Sequence, residues 1–524
     1  MRSLLLAGFM GTGKSTVGPL AAAKLDVPFA DTDEIVAREA GASIPELWRR
    51  EGEAAFRERE RAVLEKLLAD GKTRVVALGG GTLLARDLRH AALDTSIVVT
   101  LTSEPEEILQ RVGDVSSRPN LAASDPKKRI ADLLDVRAEA YAECHASLAT
   151  DGVDADEIAE AAVAVVRRDP LVLPLGARSY PIDVVHDQPE ALTDAIARLA
   201  PSSLVVVSDA HVRRVRGHQL DRALSHLALP HIDVTIPHGE EHKTLGTVSA
   251  IWDAALGAGI DRDALVVAFG GGVTTDLACF AASTLLRGVR CVSVPTTLLA
   301  MADASVGGKT GFDHPAGKNL IGSIHQPRAV VVDTAHLVTL AARELRAGLA
   351  EIVKIALATS APLFERLEAE QAALLDPSSR VLLEVVREAI ALKARIVRDD
   401  EREAGRRAIL NLGHTLGHAL EAHGRYRKWL HGEAVALGLV RELMITQKRG
   451  LSPPEITTRA TRLLAALGLP TEVSPEEMHA AARFIGADKK RSGSPQHPTI
   501  ALTIVTALGR ADVRKLPSEV LREG

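Results

Sequence analysis

Cysteine is scarce. Cys144, Cys279 and Cys291 are the only three in 524 residues, and none stands in a CxxC pair. That excludes a disulfide framework and a cysteine-knuckle metal site, and makes a reducing cytoplasm the expected compartment. No apolar run approaches the roughly 18 uninterrupted residues of a membrane helix. The opening Met1-Arg2-Ser3-Leu4 run ends at Gly8 and meets Lys14 without a signal-peptide cleavage region, so no export is expected. Charge of one sign is not in excess either. Lys plus Arg number 63 against 68 Asp plus Glu, a net charge of −5 that gives no general attraction to nucleic acid or anionic lipid. Tandem repeats and low-complexity tracts are also missing. What is there is ordinary globular composition, 46% hydrophobic and 25% charged, in a chain long enough for three or four domains of about 150 residues.

Two patterns meet near residue 170. The first alternates strand-like Leu4–Ala7, Arg74–Leu78 and Ile97–Leu101 with helical segments such as Ser15–Leu25, which predicts a parallel α/β sheet. A helix over about Ala155–Arg167 closes it, and Arg167-Arg168-Asp169-Pro170 reads as a short linker. A second alternation starts at Leu171–Tyr180 and continues through Leu204–Val207 and Ala264–Phe269. After about Asp333 the strand signal vanishes and Ala/Leu/Glu/Arg stretches of helical spacing fill most of 340–490, with only Thr499–Thr506 reading again as a strand. The expected division is therefore 1–168, an α/β half over 171–335, and a mainly helical half over 336–524.

Gly8-Phe9-Met10-Gly11-Thr12-Gly13-Lys14-Ser15 fits the pattern GxxxxGK[ST] between a strand and a helix. Glycines let successive backbone N–H groups curl round a phosphate, the lysine reaches the terminal phosphates, and the serine hydroxyl can ligate Mg²⁺. A bound nucleotide is expected at Gly11, Thr12, Gly13, Lys14, Ser15 and Thr16. The motif does not name the acceptor. Asp31-Thr32-Asp33, Phe56-Arg57-Glu58-Arg59-Glu60, Gly79-Gly80-Gly81, Ser117-Arg118-Pro119 and Arg137–Tyr141 follow in order, and together the region 1–165 resembles shikimate kinase. The resemblance implies a carboxylate-bearing acceptor held by Arg57 and Arg137 at the Gly79-Gly80 turn. It implies Asp33 as base, Asp31 helping Ser15 to hold Mg²⁺, and Arg118 on a lid over the ATP phosphates. Asn120 departs from the family's apolar residue there. Gluconate and adenylate kinase types are the competing readings, and Asp33, Arg57 and the glycines argue against both.

The second half carries three signals. Phe269-Gly270-Gly271-Gly272-Val273 follows a buried-strand run and precedes a helix, the position of a pyrophosphate cradle, and Ser208-Asp209 ends a strand where a ribose hydroxyl needs an acceptor. Val294–Thr310 and Gly317-Lys318-Asn319 place small residues, two lysines, an Asn and an Asp in apolar surroundings, so the lysines are expected to point inward. Finally, His414 and His418 stand four apart in Gly413–Glu421, with His431 and Glu351 on neighbouring segments. Two imidazoles and a carboxylate suit a catalytic zinc site, and spacing leaves open which histidine drops out.

Over about 171–515 these strings resemble 3-dehydroquinate synthase. The resemblance implies that Glu351, His414 and His431 carry Zn²⁺ (or Co²⁺), with His418 on the substrate side. It implies NAD bound by Asp209, Glu240, Lys243, Gly271, Gly272, Val273, Asp276, Thr296, Thr297, Asp303, Lys309, Lys318 and Thr339. The heptulosonate phosphate would meet Arg287, Asp303, Lys309, Asn319, Lys354, Lys393, Arg407, Asn411, His418 and Lys490, with Lys489 or Lys490 facing it and Arg287 reaching across from a partner subunit. Thr274-Thr275 departs from the family's cradle. A homodimer through this region is implied, and NAD would be recycled within each turnover, not consumed. The competing readings are a sugar-phosphate cyclase for a substrate without a carboxylate, a metal-dependent polyol dehydrogenase, and an inactive nucleotide-binding module. If both activities are present and independent, Lys14→Met abolishes phosphoryl transfer and spares cyclisation, and His431→Ala does the reverse. Parallel assays of both reactions on each variant check this, and loss of both activities in either one contradicts it.

Overall fold

Strands β1 (Leu4–Gly8), β2 (Phe29–Asp31), β3 (Val75–Ala77), β4 (Ile97–Thr102) and β5 (Ala146–Ala149) form a parallel sheet in the order β2-β3-β1-β4-β5. Every residue of β1 is buried, because successive side chains leave opposite faces and helices cover both. Leu4, Leu6, Val75 and Ile97 pack with Val17, Ala21, Ala162 and Val163 on one side. Leu5, Ala7, Val76 and Val98 pack with Leu64, Leu88 and Leu93 on the other. The computed structural model describes residues 1–113, 121, 124–315, 317–481, 483–484, 491–494 and 497–522. These fall into two compact units, Met1–Asp183 and Val184–Gly524. Arg118 and Lys490, with Asn120 and Lys489, lie outside the described residues.

The single element expected at Leu171–Tyr180 is a hairpin instead: β6 (Leu171–Leu173) pairs antiparallel with β7 (Tyr180–Val185). Pro174 has no N–H for a ladder, and Gly176 takes a left-handed φ of +59° that turns the chain. The Ser179 hydroxyl accepts from Leu175 N and donates to the Gly176 carbonyl, closing the turn.

In the second unit β8 (Leu204–Asp209), β9 (His231–Ile236), β10 (Leu265–Gly270), β11 (Arg290–Pro295) and β14 (Ala329–Asp333) are parallel, in the order β14-β11-β10-β8-β9. The chain goes from β8 to β9 on one side and returns to β10 on the other, so the strand order reverses between β8 and β10. Ligands of open α/β sheets bind at the carboxyl ends of such a pair. The antiparallel hairpin β12 (Lys309–His314) and β13 (Gly317–Ile324) inserts before β14.

Helices then dominate, as expected, through Ala342–Thr359, Arg380–Asp399, His414–His423, His431–Lys448 and Pro454–Ala466. Three strands close the chain, where one was expected: β15 (Arg491–Ser494), β16 (His497–Ala507) and β17 (Arg510–Pro517). β17 is charged and mostly exposed, so it carries little hydrophobic alternation. It is a strand because β16 supplies the pairing.

Glycines set how closely the helices approach. A Cβ on Gly432 would sit 1.8 Å from the Ala347 carbonyl oxygen, and one on Gly438 would sit 2.1 Å from that of Gly413. Helices bearing Glu351, His414 and His431 therefore meet backbone to backbone. The buried Glu442 carboxylate accepts from the N–H groups of Gly413 (2.8 Å), Thr415 (3.1 Å) and Leu416 (3.2 Å), occupying the free donors at the start of the His414 helix. Gly432→Ala should lower unfolding free energy by about 2 kcal/mol or more through overpacking. Gly257→Ala, in a helix with nothing within 4 Å of its Cβ, should be neutral or slightly stabilising. Urea titration of the two variants compares them, and equal effects would contradict the close-approach argument.

Candidate active sites

In the first unit the carboxyl ends of β2, β3 and β1 lie side by side and carry the chemistry. Gly8, Gly11 and Gly13 have φ of +131°, +80° and +92°, and a Cβ on Gly8 would meet the Leu101 carbonyl at 2.3 Å. The loop winds into helix Lys14–Leu25. Buried Lys14 donates to the Gly8 (2.9 Å) and Phe9 (2.8 Å) carbonyls. Burial lowers its pKa to about 8, against the pull of Asp33 and Asp31. The Thr12 side chain folds back on the Phe9 carbonyl, leaving its backbone to the loop, and Thr16 is exposed. Ser15 Oγ donates to Asp31 Oδ2 at 2.8 Å, so the two residues proposed for one cation are in contact. Asp31 also caps the following helix through Asp33 N.

Asp33 Oδ1 is buried without a hydrogen-bond partner. Burial, then repulsion from Glu60 and Asp31, raises its pKa to about 6 in spite of Lys14 and Arg57. Arg57 lies over the rings of Trp48 and Phe56 and pairs with Glu60 and Glu53. The glycine turn is dictated by these charges: a Cβ on Gly79 would sit 2.0 Å from Glu60 Oε1 and 2.7 Å from Asp33 Oδ1, and one on Gly81 would sit 2.4 Å from the Arg57 guanidinium. Arg137 Nη1 and the Tyr141 hydroxyl both donate to the Gly80 carbonyl. Asp33, Arg57, Gly79, Gly80 and Arg137 thus converge. Glu60 and Tyr141 stand in the strings Phe56–Glu60 and Arg137–Tyr141, but the sequence assigns them no role. The i,i+3 spacing of Arg57 and Glu60 on one helix face was the available signal.

In the second unit Asp209 ends β8 and caps the next helix through His211 and Val212 N–H. Gly270 ends β10, and Gly271 and Gly272 open helix Gly272–Thr284. Thr274, the family departure, is buried against Gly270, where a Cβ would meet its Oγ1 at 2.5 Å. Its hydroxyl donates to Asp209 Oδ2 at 3.4 Å, so the cradle keeps its shape with threonine there. Gly271 faces Thr297, and Thr296 Oγ1 beside it is buried without a partner among the described residues. A phosphate approaching this helix start meets free N–H groups and no side chain. Val273 begins the same helix. Lys243 bonds Asp276 (2.5 Å) and Asn319 (2.7 Å), and Lys318 bonds Glu240 (2.9 Å) and Glu421 (3.1 Å). Thr339 stands apart from this group, accepting from Arg216 Nε at 2.9 Å.

Beyond the cradle, Ala300–Ala304 forms a π-helical turn, a distortion that recurs at functional sites, and it presents Asp303 to Lys393 at 2.6 Å. Lys393 is buried, which lowers its pKa to about 8 in spite of Asp303. Arg407 donates to the Gly307 carbonyl at 3.3 Å, and Asn411 and Lys309 both reach Glu403. Lys309 does not point inward as expected: its side chain is 54% exposed. Its glycine neighbours give the hairpin room, and Glu403 holds the ammonium at the rim. Arg287 is exposed in a turn where both Leu286 and Arg287 have left-handed φ.

Glu351, His414 and His431 bring one ligand atom each within 4.8 Å of one another. Glu351 Oε1 lies 3.4 Å from His431 Nε2 and 3.7 Å from His414 Nε2. Both Glu351 oxygens are buried: Oε2 is ion-paired with Lys354, and Oε1 faces the two imidazoles. Burial opposes their charge, but Lys354 and then His431 keep the carboxyl below its usual range. One carboxylate and two imidazoles fit a borderline divalent ion such as Zn²⁺ or Co²⁺. His418, Glu421 and His431 form an overlapping second group, in which His418 is exposed.

Family models agree with this division. The shikimate kinase model matches residues 10–167, and those for the N-terminal and C-terminal parts of 3-dehydroquinate synthase match 233–347 and 348–491. The 3-dehydroquinate synthase of Teredinibacter turnerae is 44% identical over 325 residues, 61% of this chain and 89% of its own. The chain belongs to the 3-dehydroquinate synthase family. It is a fusion, with a shikimate kinase domain ahead of the synthase. Among solved structures, the 2-epi-5-epi-valiolone synthase of Streptomyces hygroscopicus with NAD⁺ and Zn²⁺ bound is 31% identical, with a TM-score of 0.57 over 65% of this chain and 94% of that one. A 2-deoxy-scyllo-inosose synthase complexed with carbaglucose-6-phosphate, NAD⁺ and Co²⁺ is 25% identical, with a TM-score of 0.60 over 68% and 99%.

Three carboxylates of the synthase were given no role in the sequence: Glu403, Glu421 and Glu442. Among the described residues no helix is long and apolar enough to cross a membrane.

The kinase site yields a pH test. Asp33 has its folded pKa, about 6, above the ordinary 3.8, so ionising it lowers stability as pH rises through that window. Asp33→Asn should therefore resist urea better at pH 7.5, by on the order of 2–3 kcal/mol, with no gain at pH 4. Kinase kcat should fall at least about a hundredfold with the loss of a general base. A variant less stable than the parent at pH 7.5 would contradict the assignment.

Proposed function

We propose that residues 1–168 transfer the γ-phosphoryl group of Mg²⁺·ATP to shikimate, giving shikimate 3-phosphate. The synthase, with its α/β half over 171–335 and its helical half over 336–524, converts 3-deoxy-D-arabino-heptulosonate 7-phosphate to 3-dehydroquinate and phosphate. The observation that carries the kinase reading is the convergence of the Gly8–Ser15 loop, Ser15–Asp31 and Asp33 with Arg57 at three adjacent strand ends. For the synthase it is the buried Glu351 carboxylate, ion-paired with Lys354 through one oxygen and facing two imidazoles with the other.

In the kinase, the backbone of Gly11, Thr12, Gly13 and Thr16 cradles the phosphates and Lys14 neutralises them. Phosphate charge offsets the burial that lowers the Lys14 pKa. Ser15 and Asp31 hold Mg²⁺. Asp33 accepts the proton of the acceptor hydroxyl, with a pKa near 6 suited to a general base at neutral pH. Arg57 and Arg137 clasp the acceptor carboxylate in guanidinium forks, over the open floor of Gly79 and Gly80. Arg118 covers the transferring phosphoryl group by family resemblance.

In the synthase, Glu351, His414 and His431 would hold Zn²⁺ or Co²⁺, which when bound polarises neighbouring substrate oxygens as a Lewis acid. NAD⁺, when bound, takes up and returns one hydride, so none is consumed. Asp209 meets the ribose, and Gly271, Gly272 and Val273 receive the pyrophosphate. Glu240, Lys243, Asp276, Thr296, Thr297 and Lys318 complete the dinucleotide site, and Thr339 bonds Arg216 apart from it. Asp303 orients Lys393 between cofactor and substrate. Lys309, Asn319, Lys354, Lys393, Arg407, Asn411, His418 and Lys490 bind the substrate's anionic and hydroxyl groups. The exposed Arg287, together with exposed Leu320, Ile321 and Ile324 on β13, supports a homodimer in which Arg287 reaches the partner's site. Small molecules are the only other partners, and the cytoplasm is the location.

Arg407, buried beside the substrate lysines, favours a carboxylate-bearing substrate over the cyclase alternatives. Mass spectrometry of the reaction with the heptulosonate phosphate, catalytic NAD⁺ and Zn²⁺ should find dehydroquinate and one equivalent of phosphate, without net NADH. Accumulating NADH would indicate a polyol dehydrogenase, and unchanged substrate another sugar phosphate. Chelation by EDTA should stop cyclisation, with Mg²⁺ alone restoring only the kinase. A full cyclisation rate after verified metal removal would end the metal assignment.

A further inference from the structure

The kinase family match stops at residue 167, yet the compact unit that contains it continues to Asp183. The additional residues are built into its core. Asp169, the left-handed cap of helix Ala155–Arg168, accepts from Arg2 Nε at 2.6 Å, and the Pro170 carbonyl accepts from the same guanidinium. Val172 of β6 packs in the cluster of Leu5, Val76, Leu78, Leu83 and Leu88. Asp183, wholly buried, pairs with Arg168 at 2.8 Å.

From this segment a line of hydrogen bonds runs to the acceptor loop. Gly176 N donates to Glu143 Oε1 at 3.0 Å. The other Glu143 oxygen accepts from Arg89 Nε at 2.6 Å. Arg89 Nη1 in turn donates to the carbonyls of Leu83 (2.7 Å) and Leu84 (3.0 Å). Those carbonyls belong to the single turn Thr82–Leu84 that directly follows Gly79-Gly80-Gly81. Thr82 donates to Glu60, the partner of Arg57. Glu143 also terminates helix Pro126–Ala142, whose Arg137 and Tyr141 grip the Gly80 carbonyl. Neither Arg89 nor Glu143 is itself among the groups that converge on the acceptor position.

A buried ion pair is weak evidence for stability, because an apolar pair of similar volume serves as well. What it does fix is geometry. Arg89 and Glu143 are both about nine-tenths buried, and their bonds end on two backbone carbonyls whose position sets the glycine turn. Displacing reactive geometry by a fraction of an ångström lowers turnover or affinity without unfolding anything.

We propose that Arg89 and Glu143 are positioning residues for the acceptor loop, and that residues 169–183, beyond the kinase family's own boundary, are the brace that sets them. The inference rests on the shikimate kinase reading. In the full-length chain, Glu143→Gln and Arg89→Lys should each raise the shikimate KM about tenfold, a loss of roughly 1.4 kcal/mol of acceptor binding. The ATP KM and the synthase turnover should stay within about twofold of the parent, and Glu143→Asp should recover part of the affinity. Gly176→Ala must adopt a left-handed φ and brings a Cβ to 3.4 Å from Glu139, so it should move the shikimate KM the same way. Gly152→Ala has the same backbone penalty at φ +69° with nothing within 4 Å, and should leave it unchanged. The proposal is overturned by a flat shikimate KM in Glu143→Gln and Arg89→Lys, by an ATP KM that rises in step, or by Gly152→Ala matching Gly176→Ala. A parent chain that does not phosphorylate shikimate overturns the kinase reading itself, and this proposal with it.

Discussion

Several charges of each sign must be kept dry in a small volume, and this requirement shapes both units. Around the glycine turn of the kinase, Asp31, Asp33 and Glu60 share the space with Lys14 and Arg57. In the synthase Glu351, Asp303 and Glu403 are matched by Lys354, Lys393 and Lys309. Neutrality is kept locally but not bond by bond. Asp33 retains a carboxylate oxygen with no hydrogen bond among the described residues, and Glu351 turns one oxygen to two imidazoles. Such an oxygen in a native protein is the place where a proton, a cation or a substrate hydroxyl is to be received. The apolar shells, Leu4 to Val166 around one sheet and Val205 to Phe312 around part of the other, keep water from screening these charges. Hence Asp33 and Lys14 both sit with pKa values moved toward neutrality.

The frame that holds those charges follows from parallel sheets. The inner strands are buried on both faces, so functional groups collect where the strands end. Two of the glycine turns, after β3 and β10, are shaped by the side chains around them. Glu60, Asp33 and Arg57 exclude a Cβ from the first, and Thr274 excludes one from the second. A substitution at such a glycine would displace a charged or capping group, so its effect would be on the site before it was on the fold.

Much of this was legible in the sequence. The strands β1, β3, β4, β8 and β10 announce themselves as apolar runs, whereas β2, β5 and β9 carry no such run, and Gly8–Ser15 and Gly270–Gly272 mark the strand-to-helix turns. His414, His431 and Glu351 could be grouped by residue type, though not resolved from His418. Partners were harder. Glu60, Glu421 and Glu442 lie on helices where a carboxylate is ordinarily solvated, Glu403 lies in the stretch between Asp399 and Arg406, and only tertiary packing turns them inward. Lys309 shows the reverse error, since its small neighbours suggest an interior that a hairpin edge does not provide. β17 is charged and becomes a strand through pairing with β16, and the Pro174–Ser179 turn splits what reads as one strand. These are cases in which non-local contacts override local pattern.

The seating of Val172 and Asp183 in the kinase unit bears on how such a chain can change over generations. A kinase ending where its relatives end would lose an apolar residue from its core and the N–H that steadies Glu143. Restoring it would take compensating substitutions at several buried positions at once. Joining two genes needs one event, but separating these two again would first produce a weakened protein. The residues that join the two enzymes are thus part of the folded kinase unit and not a spacer between them.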